Sequence, residues 1–155
     1  MVRKIKIIEK NGYHSVIAAT KISKRENIIA LKGTVQFFPT KYSIQVDENK
    51  HLIPFLNGPE DENSLWKFLN HSCAPNSYFD LSQMTLISLN EINTEEDISF
   101  NYCTTEYDMS SPFKCLCKTN SCYGEIKGFR HLPKERQKEL FGTLASHLKK
   151  YTIGI

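Results

Sequence analysis

Five cysteines, Cys73, Cys103, Cys115, Cys117 and Cys122, are the side chains here most suited to chemistry. Three fall within eight residues as Cys115-Leu116-Cys117-Lys118-Thr119-Asn120-Ser121-Cys122, a C-x-C-x4-C pattern. Three thiolates from one tight loop can take three corners of the tetrahedron that zinc prefers, about 2.3 Å from the metal, and a fourth ligand must come from elsewhere. The spacing is not the common C-x2-C knuckle. A packed set of inert thiols is therefore the competing reading, since free cysteine is among the most buried residue types. A second cluster lies upstream, Trp66-Lys67-Phe68-Leu69-Asn70-His71-Ser72-Cys73-Ala74-Pro75-Asn76, which sets amide, imidazole and thiol groups after an apolar run. Read alone, His71 is a structural histidine before it is a ligand. Cys73 would serve as a nucleophile only with a base beside it in space.

Short strands must position these groups. Segments 4–8, 15–20, 27–31, 34–38, 42–46, 77–81, 84–89 and 98–102 are rich in Ile, Val, Thr, Phe and Tyr. Turn formers separate them: Asn11-Gly12, Lys32-Gly33, Asp47-Glu48-Asn49 and Asn57-Gly58-Pro59. Residues 65–69 could form one helical turn. One longer helix is expected near the C-terminus, starting after Pro133, with Leu140, Phe141, Leu144, Leu148 and Tyr151 at helical spacing. Gly142 weakens it by about 1 kcal/mol relative to alanine. Such an amphipathic segment more often packs on its own domain than on a partner.

The 155 residues, 40% hydrophobic and 24% charged, fit one domain with its own core. Aromatics at 11% and a net charge of +3 do not match a solvated coil. No run approaches eighteen apolar residues, and the N-terminus lacks the form of a secretory signal. The expectation is an intracellular protein, cytoplasmic or nuclear, with no membrane contact. Charge is uneven: residues 1–50 carry ten Lys/Arg against four Asp/Glu, residues 51–100 one against eight, and residues 101–155 nine against five. No block of five like charges occurs, so direct nucleic-acid binding is not expected. The acidic clusters Glu60-Asp61-Glu62 and Glu95-Glu96-Asp97 read as solvated loops, or as a negative surface for a basic substrate.

Asn70-His71-Ser72-Cys73-Ala74-Pro75-Asn76 resembles the N-H-S-C-x-P-N motif of SET-domain protein-lysine methyltransferases. Asp97-Ile98-Ser99-Phe100-Asn101-Tyr102 resembles their E-L-[ST]-F-[DN]-Y strand, and the C-x-C-x4-C resembles their post-SET zinc loop. The resemblance covers about residues 10–128. It implies a mainly β fold, a SET-domain β-clip of short strands with a pseudoknot, a post-SET zinc loop and a C-terminal helix. The corresponding division is 1–110, 111–128 and 129–155.

The resemblance also implies roles. S-adenosylmethionine would bind one face, against Tyr13, His14, Ser15, Asn70, His71, Tyr102 and Leu116, and leave as S-adenosylhomocysteine. A lysine of a protein or peptide substrate would enter from the opposite face. Tyr102 would be the catalytic tyrosine, and Phe100 would line the lysine channel and favour di- or trimethylation. Cys73, Cys115, Cys117 and Cys122 would hold one structural zinc, with Cys103 a packed thiol. The amine must be neutral to attack. At pH 7 that costs roughly 4–5 kcal/mol, which desolvation and the sulfonium charge would offset without a dedicated base.

Two departures stand out. Tyr13-His14-Ser15-Val16-Ile17-Ala18 occupies the place of a G-x-G-[VIL]-[FYV]-A run, and both glycines are missing. Leu31-Lys32-Gly33 lacks a tyrosine that usually lines the channel, for which Tyr42 or Tyr78 could substitute. They motivate a rival reading, a zinc-stabilised interaction module without catalysis. A zinc hydrolase or deaminase is disfavoured, because there is no H-E-x-x-H and no H-x-E with P-C-x-x-C. A dithiol redox protein would need a C-x-x-C, which is absent.

Overall fold

The computed structural model describes residues 3–56 and 61–154. The expected turn at 57–59 and the acidic Glu60 lie outside them. Strands β1 (Ile5–Lys10) and β2 (Tyr13–Ala18) form an antiparallel hairpin closed by Asn11 and Gly12. Both turn residues have positive φ, 54° and 79°. That is the two-residue turn an Asn-Gly pair favours, because its twist matches that of the flanking strands. Strand β3 (Asn27–Ala30) is followed by β4 (Thr34–Gln36), β5 (Ile44–Asp47) and β6 (Lys50–Ile53), and β6 lies between β4 and β5.

A 3₁₀ segment, Glu62–Phe68, fills the place of the expected helical turn. Asp61 caps it by accepting from the Asn63 N–H, and Trp66 anchors it, with its indole donating to the carbonyls of Lys32 and Asn63. Then come β7 (Asn70–His71), β8 (Ser77–Asp80), β9 (Thr85–Ser88) and β10 (Ser99–Phe100). Strands β3, β9 and β8 make an antiparallel sheet, while β7 and β10 pair in parallel. A short hairpin, β11 (Phe113–Lys114) with β12 (Glu125–Ile126), closes the cysteine loop.

The expected C-terminal helix is broken. It consists of α1 (Lys134–Glu139), a 3₁₀ turn at Phe141–Thr143, α2 (Ser146–Lys149) and a further 3₁₀ turn at Lys150–Thr152. Leu144 and Ala145 are extended, with ψ of 134° and 144°, which interrupts the ladder beyond Gly142. The break lets the Ala145 N–H donate to the Thr104 carbonyl. The apolar residues still face inward: Leu140, Leu144 and Leu148 are buried, although Phe141 is half exposed. Among the described residues no helix is long and apolar enough to cross a membrane.

Two apolar cores result. One gathers Val16, Leu52, Phe79 and Phe100 from the strands, with Ile22 and Trp66 from the segments between them. The other gathers Cys73, Cys103, Ile126, Phe129 and Leu148 from the cysteine loop and the terminal segment. Tyr102 packs against both. Part of the acidic middle is matched by cations from the N-terminal strands and the segment after them: Glu62 pairs with Arg3, Glu91 with Lys21 and Glu95 with Lys6. Exposed pairs of this kind add only about 0–1 kcal/mol each.

Gly128 sits where the second core meets the Tyr102 turn. Its φ is 111°, and an added Cβ would lie 2.7 Å from the Tyr107 carbonyl oxygen. Gly128→Ala should cost about 2 kcal/mol or more in a denaturant titration. Gly142→Ala, whose Cβ meets nothing within 4 Å, should be neutral or stabilising by about 0.5 kcal/mol.

Candidate active site

The parallel pairing of Asn70 with Ser99 and His71 with Phe100 brings the two motifs together. Around it the Asn76 side chain accepts from the Ser99 N–H and donates to the Asp97 carbonyl. The Ser72 N–H donates to the Phe100 carbonyl, and the Ser77 hydroxyl to that of Ser99. The 70–77 loop is thus laced to the 97–102 segment, the two segments that the expected pseudoknot brings together.

His71 lies at the centre. Its Nδ1 accepts from the Tyr102 N–H at 3.1 Å, so the proton sits on Nε2, which donates to Cys73 Sγ at 3.2 Å. Burial lowers its pKa to about 4 and keeps the ring neutral. The ring meets Tyr102 and Phe113 edge-on, at 5.3 and 5.9 Å. Phe113 is therefore part of the site, whereas Phe129 is fully buried in the second core.

The Asn70 amide donates to the His14 carbonyl and to the Ser15 hydroxyl, both at 3.1 Å. This places His14 and Ser15 beside the Asn70–His71 pair, with the His14 ring tilted against that of Phe68 at 4.8 Å. Tyr13 is largely exposed at the start of β2. No residue from 13 to 18 has a positive φ. The conformational freedom of the missing glycines is therefore not needed here; what the side chains alter is the space in front of the strand.

Tyr102 begins a 3₁₀ turn, Tyr102–Thr104, instead of ending a strand. The turn is capped by Asn101, which accepts from the Cys103 N–H. The Tyr102 hydroxyl donates to the Leu69 carbonyl at 2.6 Å. Burial, and then the charge of Glu106, push its pKa above the usual tyrosine range, so it remains a donor. Phe100 lies 4.9 Å away, ring to ring, and meets Phe79 at 4.8 Å in a T-shape. Phe100, Tyr102 and Leu69 line a small, solvent-open cleft. Tyr42 lines it as well, while Tyr78 lines a different surface groove. Glu106 also faces the cleft, and no sequence motif singles it out. Its partner, the Gln45 N–H, comes from β5, a pairing no local pattern announces.

Cys73, Cys115, Cys117 and Cys122 place their sulfurs within 4.8 Å of one another. The Cys73–Cys115 separation is 3.8 Å. A tetrahedron with 2.3 Å Zn–S bonds has edges of about 3.8 Å. Each sulfur also has a polar neighbour: the Tyr123 N–H for Cys73, the Cys117 N–H for Cys115, the Thr119 hydroxyl for Cys117 and the Gly124 N–H for Cys122. Donors aimed at sulfur suit thiolates gathered on a cation, so the residues fit zinc. Cys103 is fully buried outside the group, where burial raises its thiol to about 12. Leu116 stands 78% exposed on the loop.

Known proteins resemble this arrangement. Histone-lysine N-methyltransferase ash1 of Drosophila melanogaster is 29% identical over 122 residues, 69% of this chain and 6% of that protein. Methyltransferase flvH of Aspergillus flavus is 35% identical over 63 residues, 39% of this chain and 35% of that protein. The chain thus spans about a third or less of these relatives. A crystal structure of KRYPTONITE in complex with mCHH DNA, an H3(1-15) peptide and SAH superposes with a TM-score of 0.58 at 17% identity, over 78% of this chain and 29% of that one. The family profile described as SET domain matches residues 7–103, from the first hairpin through the Tyr102 turn. By that match, across well over half of its length, the chain belongs to the SET-domain family.

Proposed function

We propose that this chain transfers a methyl group from S-adenosylmethionine to the ε-amino group of a lysine in a protein substrate, a histone or another basic protein. The observation that carries the reading is the position of Tyr102. It stands between the Asn70–His71 pair on one side and the cleft lined by Phe100 and Leu69 on the other. The bound SAH and H3 peptide of KRYPTONITE, and the names of the relatives, support the same donor and a peptide lysine.

S-adenosylmethionine, when bound, supplies a methyl already activated by a positive sulfur, so the protein's task is orientation and exclusion of water. Asn70 and His71, with the backbone of 13–15, would hold it, since an amide both donates and accepts. Leu116 would cover the adenine. Tyr102, a fixed donor, would align the amine with the methyl. Phe100 places no hydroxyl in the cleft to hold a water, which favours higher methylation states. The cysteine loop would carry one zinc that orders a wall of the site without taking part in the chemistry, because four thiolates leave no open position.

A labelled-methyl assay on lysate proteins should show incorporation with the native chain. Tyr102→Phe should lose on the order of 10²-fold. Equal labelling by both would refute the role of Tyr102. Absence of labelling, with no calorimetric affinity for S-adenosylmethionine, would favour the inactive interaction module. Metal analysis should find one zinc per chain. Cys73→Ser should lower it, and Cys103→Ser should leave it unchanged.

A further inference from the structure

Glu106 is a half-buried residue in the wall of the cleft that holds Tyr102 and Phe100. Among the described residues lining that cleft it is the one acid. Its Oε1 accepts from the Gln45 N–H at 2.7 Å and from the Thr105 hydroxyl at 3.1 Å. Both protein donors reach the same oxygen, which leaves Oε2 for whatever enters the cleft. The backbone around it is fixed too: the Glu106 carbonyl accepts from the Phe129 N–H, and its N–H donates to the Tyr102 carbonyl.

A carboxylate that takes both its protein donors on one oxygen, in a cleft wall that mixes apolar side chains with Lys41 and Lys67, can meet an entering cation through the other. We propose that Glu106 receives the ammonium of the target lysine in this cleft and takes its proton before methyl transfer. The inference rests on the lysine methyl-transfer reading above and deepens it. The ammonium gives one proton to Oε2, leaving a neutral amine and a carboxylic acid. The amine lone pair forms the N–C bond to the methyl while the C–S bond breaks, its electron pair going to sulfur, so the sulfonium becomes a neutral thioether. The product is a methylated ammonium. The carboxylic acid returns its proton to solvent as the product leaves.

The neighbouring groups fit this assignment. Tyr102 cannot be the base, since its hydroxyl donates to Leu69 and its pKa is pushed up by burial and by Glu106 itself. Burial raises the Glu106 carboxyl to about 7, against the pull of the Gln45 N–H and the Thr105 hydroxyl. An acid that titrates there can both accept and release a proton near neutrality. Cys103 lies on the same turn with its thiol raised, and His147 donates through Nε2 to the Thr105 carbonyl. Lys41 and Lys67 also line the cleft, with their ammonium groups over the rings of Tyr42 and Phe68.

The test is the rate of labelled-methyl incorporation into lysate proteins from pH 6 to pH 10, for the native chain, Glu106→Gln and Glu106→Asp. A native rate that rises through about pH 7 is expected. Glu106→Gln, which can still accept from Gln45 and Thr105, should be down roughly 30-fold at pH 7. The gap should close to about 3-fold by pH 10, as lysine, with its reference pKa near 10.4, loses its proton unaided. Glu106→Asp should retain more activity than Glu106→Gln at neutral pH. A deficit that is the same at every pH would mean a structural role and overturn the proposal, as would equal rates. If Glu106→Gln proves unfolded by its thermal midpoint, the native profile and Glu106→Asp decide: a rate flat through pH 7, or no difference between native and Asp forms, would overturn it. A native chain that labels nothing at any pH defeats the methyl-transfer reading, and this inference with it. That result is distinct from a native chain that labels while Glu106→Gln matches it.

Discussion

One imidazole joins the parts of this protein that must not move relative to one another. His71 accepts from the backbone of Tyr102 and donates to the sulfur of Cys73. It can do both only as a neutral ring of one tautomer, and burial enforces the neutral form. The parallel pairing of β7 with β10 sets the ring at that point. A shift of one residue in this two-residue ladder would turn His71 to the opposite side and break both bonds. Asn76 guards against it by bonding to Asp97 and Ser99 on the facing segment.

The same ring links the two apolar cores. Cys73 belongs to the core built by the cysteine loop and the terminal segment, and Tyr102 touches both. Four sulfurs this close repel as thiolates unless a cation sits among them. Metal binding would therefore tighten the loop carrying Phe113, whose ring packs on His71 and Tyr102. The terminal segment buttresses the other side of the turn. Ala145 and His147 bond to the carbonyls of Thr104 and Thr105, the residues that follow Tyr102 by two and three positions. The break in the terminal helix makes this contact possible.

What could be read from the sequence was what local chemistry dictates. Asn11-Gly12 closes the first hairpin because only a few residue types tolerate its backbone angles. The cysteine spacing and the Asn70–Asn76 motif concentrate donors in a few residues, and the four thiols do converge. Tertiary partners were hidden. Glu106 is one acid among seventeen until Gln45, from a distant strand, meets it. Strand β6 lacks clear alternation and is held by neighbours on both sides. The terminal residues keep helical spacing, yet Leu144 and Ala145 follow the demand of the Thr104 carbonyl for a donor. The cations that pair with Glu62, Glu95 and Glu91 lie far away in the chain, at Arg3, Lys6 and Lys21, so no local pattern announces these pairs.

The aromatic packing around Phe100 bears on how much room a lysine would find. Phe100 is held by Phe79 on one side and Tyr102 on the other, both within 5 Å ring to ring. Phe79 is itself almost wholly buried. A close-packed ring resists displacement, because moving it opens a void on one side and an overlap on the other. The width of the cleft at Phe100 is therefore a fixed property of the core and not an adaptable one. On the methyl-transfer reading, a nitrogen that gained methyl groups would have to find its space elsewhere on the wall. Residues 40–44 also line the cleft, with Tyr42 half exposed, so this part of the wall is less tightly held by packing than Phe100.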